Sequence, residues 1–141
     1  MNAFGQNEST SIVACEVSID DRMHVLPRHF GTAMMTVEST VFTFMRTLCA
    51  QYSGGYRSFY ELSNGGFYMA PQGADRLAIH VDGNGYDGEM SSDAAGITAC
   101  LFALSHLSFQ VENVQIAEQY HLLRDFAAGH PEARAIIAAI D

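Results

Sequence analysis

The sequence predicts an α+β fold, in which a small antiparallel β-sheet of three to five strands, including two hairpins, packs with about four α-helices. Two observations carry this prediction. In the middle of the chain, apolar residues alternate with polar ones around two turn signals, whereas the last fifty residues show helical spacing. A length of 141 residues fits one domain, which we place at residues 12–141 after a flexible polar tail at 1–11.

A half-buried strand is predicted near the start of the chain. Four apolar residues alternate there with small or polar ones and would share the buried face: Val13, Cys15, Val17 and Ile19. In the next segment, RMHVLPRHFG, Pro27 should stop any helix and Gly31 should close the segment.

The first helix is predicted to begin after Thr36, which suits the N-cap position, and to end at Ser53-Gly54-Gly55. Its apolar residues recur at helical spacing and would form one buried stripe: Val37, Val41, Phe44, Leu48 and Tyr52, widened by Met45 and Cys49.

The stretch YELSNGGFYMAP predicts the first hairpin. A two-residue type I′ turn at Asn64-Gly65 would oppose Leu62 to Phe67 and Tyr60 to Met69. One face would then be apolar and buried: Tyr56, Tyr60, Leu62, Phe67 and Met69. The other face would mix aromatic and charged residues: Arg57, Phe59, Glu61 and Tyr68. Such mixtures are common at protein interfaces, so this face is a predicted partner-binding surface unless a helix covers it.

The second hairpin is predicted from the alternation of Leu77, Ile79 and Val81 with polar or small residues before the turn DGNG. The tip, Asp82 to Glu89, resembles a calcium loop at first. Its fifth and sixth positions are Tyr86 and Asp87, however, where the loop needs an oxygen ligand and a glycine. We therefore expect an acidic tip in solvent, with Asp82, Asp87 and Glu89 available to a partner, and no metal.

Three helices are predicted for the rest of the chain. Ser92 would cap the first of them, and its Gly96 indicates close packing against another backbone. The second covers Val114 to Ala128 and ends at Gly129, and Pro131 begins the third. Asp141 follows this last helix and places a carboxylate at its negative pole, which indicates a frayed end, a contact with an arginine or a contact with a partner.

Catalytic and metal sites have little support in the sequence. Cys15, Cys49 and Cys100 are far apart among apolar neighbours, which predicts buried free thiols in a cytoplasmic protein without a disulfide framework or a zinc site. No nucleophile motif or phosphate-binding glycine loop occurs. The alternative hypothesis is a small hydrolase or metal-dependent enzyme that uses His80 with Asp82, Asp87 or Glu89.

Several long blocks, in order, make this chain similar to the ArdB/KlcA antirestriction family: LPRHFG, FMRTLCAQYSGGYRSFYELSNGGFYMAP, VDGNGYDGEMSSDAAGI and YHLLRDFAAGHPEARAIIAAID. The resemblance covers Arg22 to Asp141. It implies a protein of a plasmid or other mobile element that protects incoming DNA by blocking type I restriction while sparing modification. It also implies a compact α+β fold, no cofactor and no recognised catalytic chemistry. The partner would be the type I restriction-modification complex or an associated host DNA-processing protein.

The charge argues against nucleic acid as the partner and against imitation of a nucleic acid. A net charge of −9 should repel phosphate backbones. A compact domain of this length is about 37 Å across, and duplex DNA of that length carries about 22 negative charges. We therefore expect recognition through shape and aromatic patches, with Asp141 added to the surfaces named above. No stretch is long and apolar enough to cross a membrane, and an exposed edge strand would also allow a homodimer.

Overall fold

A computed structural model describes residues 11–52, 54–55, 57–73 and 75–141, so most of the predicted tail lies outside the described residues. The strands in this part of the chain are β1 (Ala14–Glu16), β2 (Arg57–Leu62), β3 (Phe67–Pro71), β4 (Arg76–His80) and β5 (Asp87–Ser91). The α-helices are α1 (Arg22–Phe30), α2 (Met34–Leu48), α3 (Ser92–Gln110), α4 (Val114–Ala128) and α5 (Ala133–Ile140), and 3-10 helices at Ile19–Asp21 and Gly31–Ala33 flank α1. The predicted α+β class is confirmed.

The strands form two antiparallel sheets, where the sequence predicted one. The first has the order β1-β2-β3, and the second is the hairpin β4-β5. In the second hairpin Leu77, Ile79 and Val81 are buried as predicted. The two sheets are separate because α3, not another strand, covers the outer edge of β3.

Helix α3 is the centre of the fold. Its residues from Ala94 to Leu101 are all buried, and it packs against α2, α4, α5 and β3. The thiol of Cys100 lies at the free edge of β3, where it accepts a hydrogen bond from the Met69 N–H (3.5 Å) and donates one to the Met69 carbonyl (3.6 Å). Burial raises the pKa of Cys100 to about 12, so the thiol stays protonated and can donate.

Gly96 allows this helix to approach the strand. A Cβ at this position would lie 2.5 Å from both the Ala70 Cα and the Met69 carbonyl oxygen, which confirms the predicted close packing. The helix begins one residue earlier than predicted, because the Ser91 hydroxyl, not that of Ser92, accepts the Ala94 N–H at 3.1 Å.

The first predicted strand is wrong in length and in face. Strand β1 has only three residues, and although Val17 is buried as predicted, Val13 and Ile19 are 57% and 78% exposed. Cys15 is also exposed, so only two of the three thiols are buried. The physical reason is that β1 pairs with Leu62 through Ala14, and this pairing turns the small alanine, not its larger neighbours, toward the core.

The segment around Pro27 forms helix α1 despite the proline. Pro27 is the sixth of nine residues, so its missing N–H leaves one carbonyl, that of Met23, without its helical partner. Met23 is 76% exposed, and water can reach that carbonyl. The helix ends at Gly31, which has φ +56°, as predicted. The prediction that Pro27 stops any helix is therefore wrong.

The bounds of α2 also differ from the prediction. The helix begins at Met34 with Ala33 at the N-cap, so Thr36 lies inside it, and it ends at Leu48. Of the predicted stop, Ser53 lies outside the described residues, and Gly54 and Gly55 follow the end of the helix by several residues, so the predicted end is wrong. Most of the predicted stripe is buried, namely Val37, Val41, Met45, Leu48 and Cys49.

The first hairpin turns through three residues instead of two. The Leu62 N–H donates to the Gly66 carbonyl at 2.9 Å, and only Gly65 in this loop has positive φ (95°). Three-residue loops of this kind combine a type I turn with one left-handed residue. The register is therefore shifted by one position, so that Tyr60 opposes Tyr68 and Phe59 opposes Met69. A shift of one residue moves a side chain to the other face of the sheet.

The last two helices follow the sequence closely. Helix α4 has the predicted bounds, and the Asn113 side chain caps it by accepting the N–H groups of Gln115 (2.9 Å) and Ile116 (3.3 Å). Gly129 ends it as predicted. Helix α5 begins two residues after Pro131, and its Ile136 side chain is fully buried in the core.

We predict that Gly96→Ala destabilises the fold by about 2 kcal/mol or more, because the added methyl meets the backbone of β3 and overpacking outweighs the higher helix propensity of alanine. Urea unfolding at pH 7 would measure this difference. Gly129→Ala is the matched control, since its φ is negative and the nearest atom to the added Cβ is 3.9 Å away. Equal stability of the two variants would contradict the proposed tight contact.

Candidate functional site

The predicted aromatic and charged face of the first hairpin does not form. Phe59 is 7% exposed and Tyr68 is 1% exposed, so the two rings do not form an exposed surface in this fold. Tyr68 lies on the opposite face from Phe59 because of the register shift, and it stacks between Tyr60 (4.7 Å between ring centroids) and Phe126 (5.8 Å). The prediction of an exposed surface here is wrong.

Arg57 and Glu61, the charged residues of that face, hold the sheet to the helices. Arg57 pairs with Glu38 on α2 at 3.1 Å and lies 3.6 Å from the centroid of the Phe42 ring. Glu61 accepts from Arg28 at 3.2 Å and lies 2.7 Å from His29 Nε2, both on α1. Half-buried ion pairs of this kind are part of the scaffold, not a free binding surface.

A polar network lies at the beginning of α3, where the first sheet meets the α4–α5 turn. The Tyr68 hydroxyl donates to Asp93 Oδ1 at 2.7 Å, and His130 Nε2 lies 2.8 Å from Asp93 Oδ2. Because His130 Nδ1 accepts the Glu132 N–H at 2.9 Å, the ring proton is on Nε2 and is donated to Asp93. Burial, with the hydrogen bond to Asp93 and its charge, raises the pKa of Tyr68, so its hydroxyl remains the donor.

Glu132 extends this network to the second sheet. Its carboxylate accepts the Ser91 N–H at 2.9 Å and the Ser91 hydroxyl, and Arg76 approaches it at 3.4 Å. Burial alone would raise the pKa of Glu132. The two hydrogen bonds from Ser91 and the positive charge of Arg76 lower it, so the pKa of Glu132 is below its ordinary value.

The network contains serine, histidine and aspartate but lacks the geometry of a nucleophilic triad. The Ser91 hydroxyl is bound to Glu132 and to the Ala94 N–H, and His130 has no free ring nitrogen with which to accept its proton. Its arrangement joins α3 to the α4–α5 turn. The sequence carries no signal for it, because Asp93 and His130 are 37 residues apart.

An acidic corner forms where the second hairpin meets the end of α5; we use this name for Asp82, Asp87 and Asp141. The side chain of Asn84, in the hairpin turn, donates to the carbonyls of Ala139 (2.9 Å) and Ala138 (3.4 Å). These carbonyls belong to the last turn of α5, where helical partners are lacking. The structure therefore brings together two predicted acidic segments that are far apart in sequence.

The carboxylates of the acidic corner are exposed to solvent. The side chains of Asp82 and Asp87 are 92% and 78% exposed, and the ring nitrogens of His80 lie 2.9 Å and 4.0 Å from their carboxylates. Asp141 is exposed and forms no ion pair within the described parts of the chain, although Arg124 and Arg134 line the same shallow depression of about 510 Å³. Glu89 is exposed on β5, opposite Ala78.

The alternative hypothesis of a hydrolase at His80 gains no support from this geometry. The His80 side chain is 58% exposed on a hairpin tip, with no cleft to exclude water. No group of three or more histidine, cysteine or acidic residues in the described ranges is arranged to hold a metal ion. Likewise, none of the helices in these ranges combines the length and hydropathy needed to cross a membrane.

Comparisons with known proteins all indicate one family. The family described as antirestriction protein matches residues 50–141. Antirestriction protein KlcA of Escherichia coli is 49% identical over 100% of both chains, and the putative antirestriction protein YubI of strain K12 is 32% identical over 92% of this chain and 96% of its own. A solved structure from work on KlcA and ArdB superposes with a TM-score of 0.86 and 48% identity over 100% of both chains. Those proteins show a novel fold, with antirestriction activity against type I DNA restriction systems in vivo but not in vitro.

The network at Glu132 gives a prediction on pH dependence. A carboxylate with a lowered folded-state pKa stabilises the fold above its ordinary pKa, near 4.5, and this stabilisation is lost as the pH falls through the lowered value. Glu132→Gln should therefore lower the free energy of unfolding by about 1–2 kcal/mol at pH 7 and by less at pH 3.5. Urea unfolding at both pH values measures this. Glu118→Gln, at an exposed position, should change neither value, and a pH-independent loss for Glu132→Gln would contradict the prediction.

Proposed function

Because this chain belongs to the antirestriction protein family, we propose that it protects incoming plasmid or phage DNA against type I restriction systems by binding a protein. The observation that carries the proposal is the match over the full chain, at 48% identity, to proteins with that activity in vivo. Their activity is absent in vitro, which favours a cellular component as the target. The proposed partner is the type I restriction-modification complex or an associated host DNA-processing protein, and modification should be spared.

The internal ion pairs argue against imitation of duplex DNA, because they use carboxylates that a mimic would need at its surface. Four of the 16 acidic residues are engaged inside the fold: Glu38, Glu61, Asp93 and Glu132. The acids left at the surface are too few for the roughly 22 phosphates of a duplex of the same length. Recognition of a protein needs only a few charges in one place.

We propose the acidic corner as a contact surface for that protein. Asp82, Asp87 and Asp141 have no arginine partner within 4.0 Å among the described residues, so their carboxylates are free to pair with a basic surface. Asp141 also lies at the negative end of α5, where a carboxylate is locally unfavourable. Of the other predicted contact residues, exposed Glu89 can extend this surface, whereas Phe59, Tyr68, Arg57 and Glu61 support the fold.

The proposed activity requires no chemistry, no cofactor and no homodimer. In the polar network, His130 and Ser91 are both engaged in hydrogen bonds with Glu132 and are not available as a base and a nucleophile. This supports the proposal that the protein acts by binding. Restriction acts on DNA inside the cell, and the thiols of Cys49 and Cys100 are free and buried, which fits a cytoplasmic protein.

We predict that the triple variant Asp82→Asn, Asp87→Asn, Asp141→Asn protects phage DNA at least tenfold less well than the wild-type protein. Each removed charge faces solvent, so the fold should be unchanged by circular dichroism. The measurement is the plating efficiency of unmodified phage on cells that carry a type I restriction system, relative to cells without it.

The control is a second triple variant with the same change in net charge, Glu112→Gln, Glu118→Gln, Asp125→Asn, at exposed positions on or beside α4. It should protect as well as the wild-type protein. Equal losses in both variants would indicate total negative charge, as in a duplex mimic, and full protection by the first variant would remove the acidic corner from the mechanism.

A further inference from the structure

A groove of about 350 Å³ lies between α1 and α2. None of the residues that line it belongs to the acidic corner. Its lining is mostly apolar, with two charged residues at the edge: Arg22, Met23, Leu26, Pro27, Met34, Met35, Glu38 and Phe59. Large apolar side chains normally lie inside a fold, but Met23 and Met35 are 76% and 72% exposed here. The groove thus presents apolar area that the fold itself does not cover.

The methionines give this groove an adaptable surface. Methionine is unbranched and polarizable, so it can repack around different side chains, and binding grooves for amphipathic helices use it for this purpose. Pro27 contributes a rigid wall, because its ring fixes the backbone of α1 at that point.

The two charged residues of the groove differ in their pairing. Glu38 already pairs with Arg57 at 3.1 Å, so its charge is compensated within the fold. Arg22 forms no ion pair among the described residues, and its buried Nε has no hydrogen-bond partner. Arg22 instead lies 5.8 Å from the centroid of the Phe59 ring. The guanidinium of Arg22 therefore carries a positive charge that no carboxylate among the described residues compensates, and a carboxylate of a bound segment would pair with it at the edge of the groove.

We infer that the groove binds an amphipathic helical segment of the protein partner, with apolar residues against Met23 and Met35 and an aspartate or glutamate against Arg22. The inference rests on the proposed function, because it names a second contact with the partner proposed there. Helix-in-groove binding suits a cleft formed by two adjacent helices.

A second copy of this chain is the competing occupant. Phe109, Val111 and Val114 are 88%, 40% and 83% exposed beside Glu112, and this corner could enter the groove of another molecule. Such a contact joins two different surfaces of the protein. Repeated copies of it would therefore build either a closed ring or an open filament. Each copy also carries a net charge of −9, which opposes self-association. A partner whose overall charge is less negative than that of this chain therefore fits better, even though its bound segment carries one acidic residue.

The test combines protection of phage DNA in cells with cross-linking. The double variant Met23→Glu, Met35→Glu should protect at least tenfold less well. Its two carboxylates would remove the apolar surface of the groove and repel the acidic residue of the bound segment. Thr47→Glu, Gln115→Glu adds the same charge at exposed positions outside the groove and should protect fully. Arg22→Glu should lose protection, whereas Arg22→Lys should keep part of it. Circular dichroism and urea unfolding confirm that each variant is folded.

A photoreactive benzoylphenylalanine in place of Met35 identifies the occupant in cells that are restricting phage DNA. The expected product joins this position to a restriction subunit or a host DNA-processing protein, through a peptide with apolar residues at helical spacing and an acidic residue. Cross-linking to a second copy of this chain, or no cross-link, would overturn the inference. Failure of the wild-type protein to protect would reject the proposed function, whereas equal protection by wild type and the groove variants would reject the groove alone.

Discussion

The fold depends on the contact between helix α3 and the outer strand of the first sheet. Gly96 lets the helix axis approach β3 so closely that a methyl group would meet its backbone at 2.5 Å. One turn later, Cys100 satisfies the N–H and the carbonyl of Met69, which an edge strand would otherwise leave unpaired. The helix therefore takes the place of a fourth strand. This explains why α3 is buried on all sides from Ala94 to Leu101 and why the two hairpins do not share a sheet.

The same arrangement determines where the charges lie. With its interior occupied by α3, the chain joins its outer elements through polar pairs: Arg57 with Glu38, Glu61 with α1, and Asp93 and Glu132 with the α4–α5 turn. Each of these pairs uses a carboxylate that contributes to the net charge but is not available to a partner at the surface. Most of the 16 acids lie outside these pairs, and the contact of Asn84 with the last turn of α5 joins the hairpin of Asp82 and Asp87 to the helix that precedes Asp141. Local concentration of charge, not total charge, is therefore the feature available for recognition.

The sequence predicted the elements of this fold better than it predicted their faces. Helical periodicity placed α4 within the observed bounds, and the glycine within α3 correctly indicated a close backbone contact. The hairpin face failed, since SNGG allows either a two-residue or a three-residue loop and the choice shifts the register by one residue. That shift moved Tyr68 to the face that Phe126 covers, whereas α1 and α2 cover the face of Arg57, Phe59 and Glu61, so neither face is an exposed surface. The contact of Asn84 with α5 and the pairing of Asp93 with His130 join distant segments, and no local pattern encodes them.

The two proposed surfaces would contribute different parts of a binding free energy. Exposed carboxylates such as Asp82 and Asp87 are screened within about 8 Å at physiological ionic strength, so they steer an encounter and select a basic partner more than they stabilise the complex. Apolar area at Met23 and Met35 is not screened by salt, and its burial contributes roughly 25 cal/mol per Å². In the proposed complex, the exposed carboxylates would favour the encounter with a basic surface, and the apolar contact would hold the partner in place while salt and DNA compete.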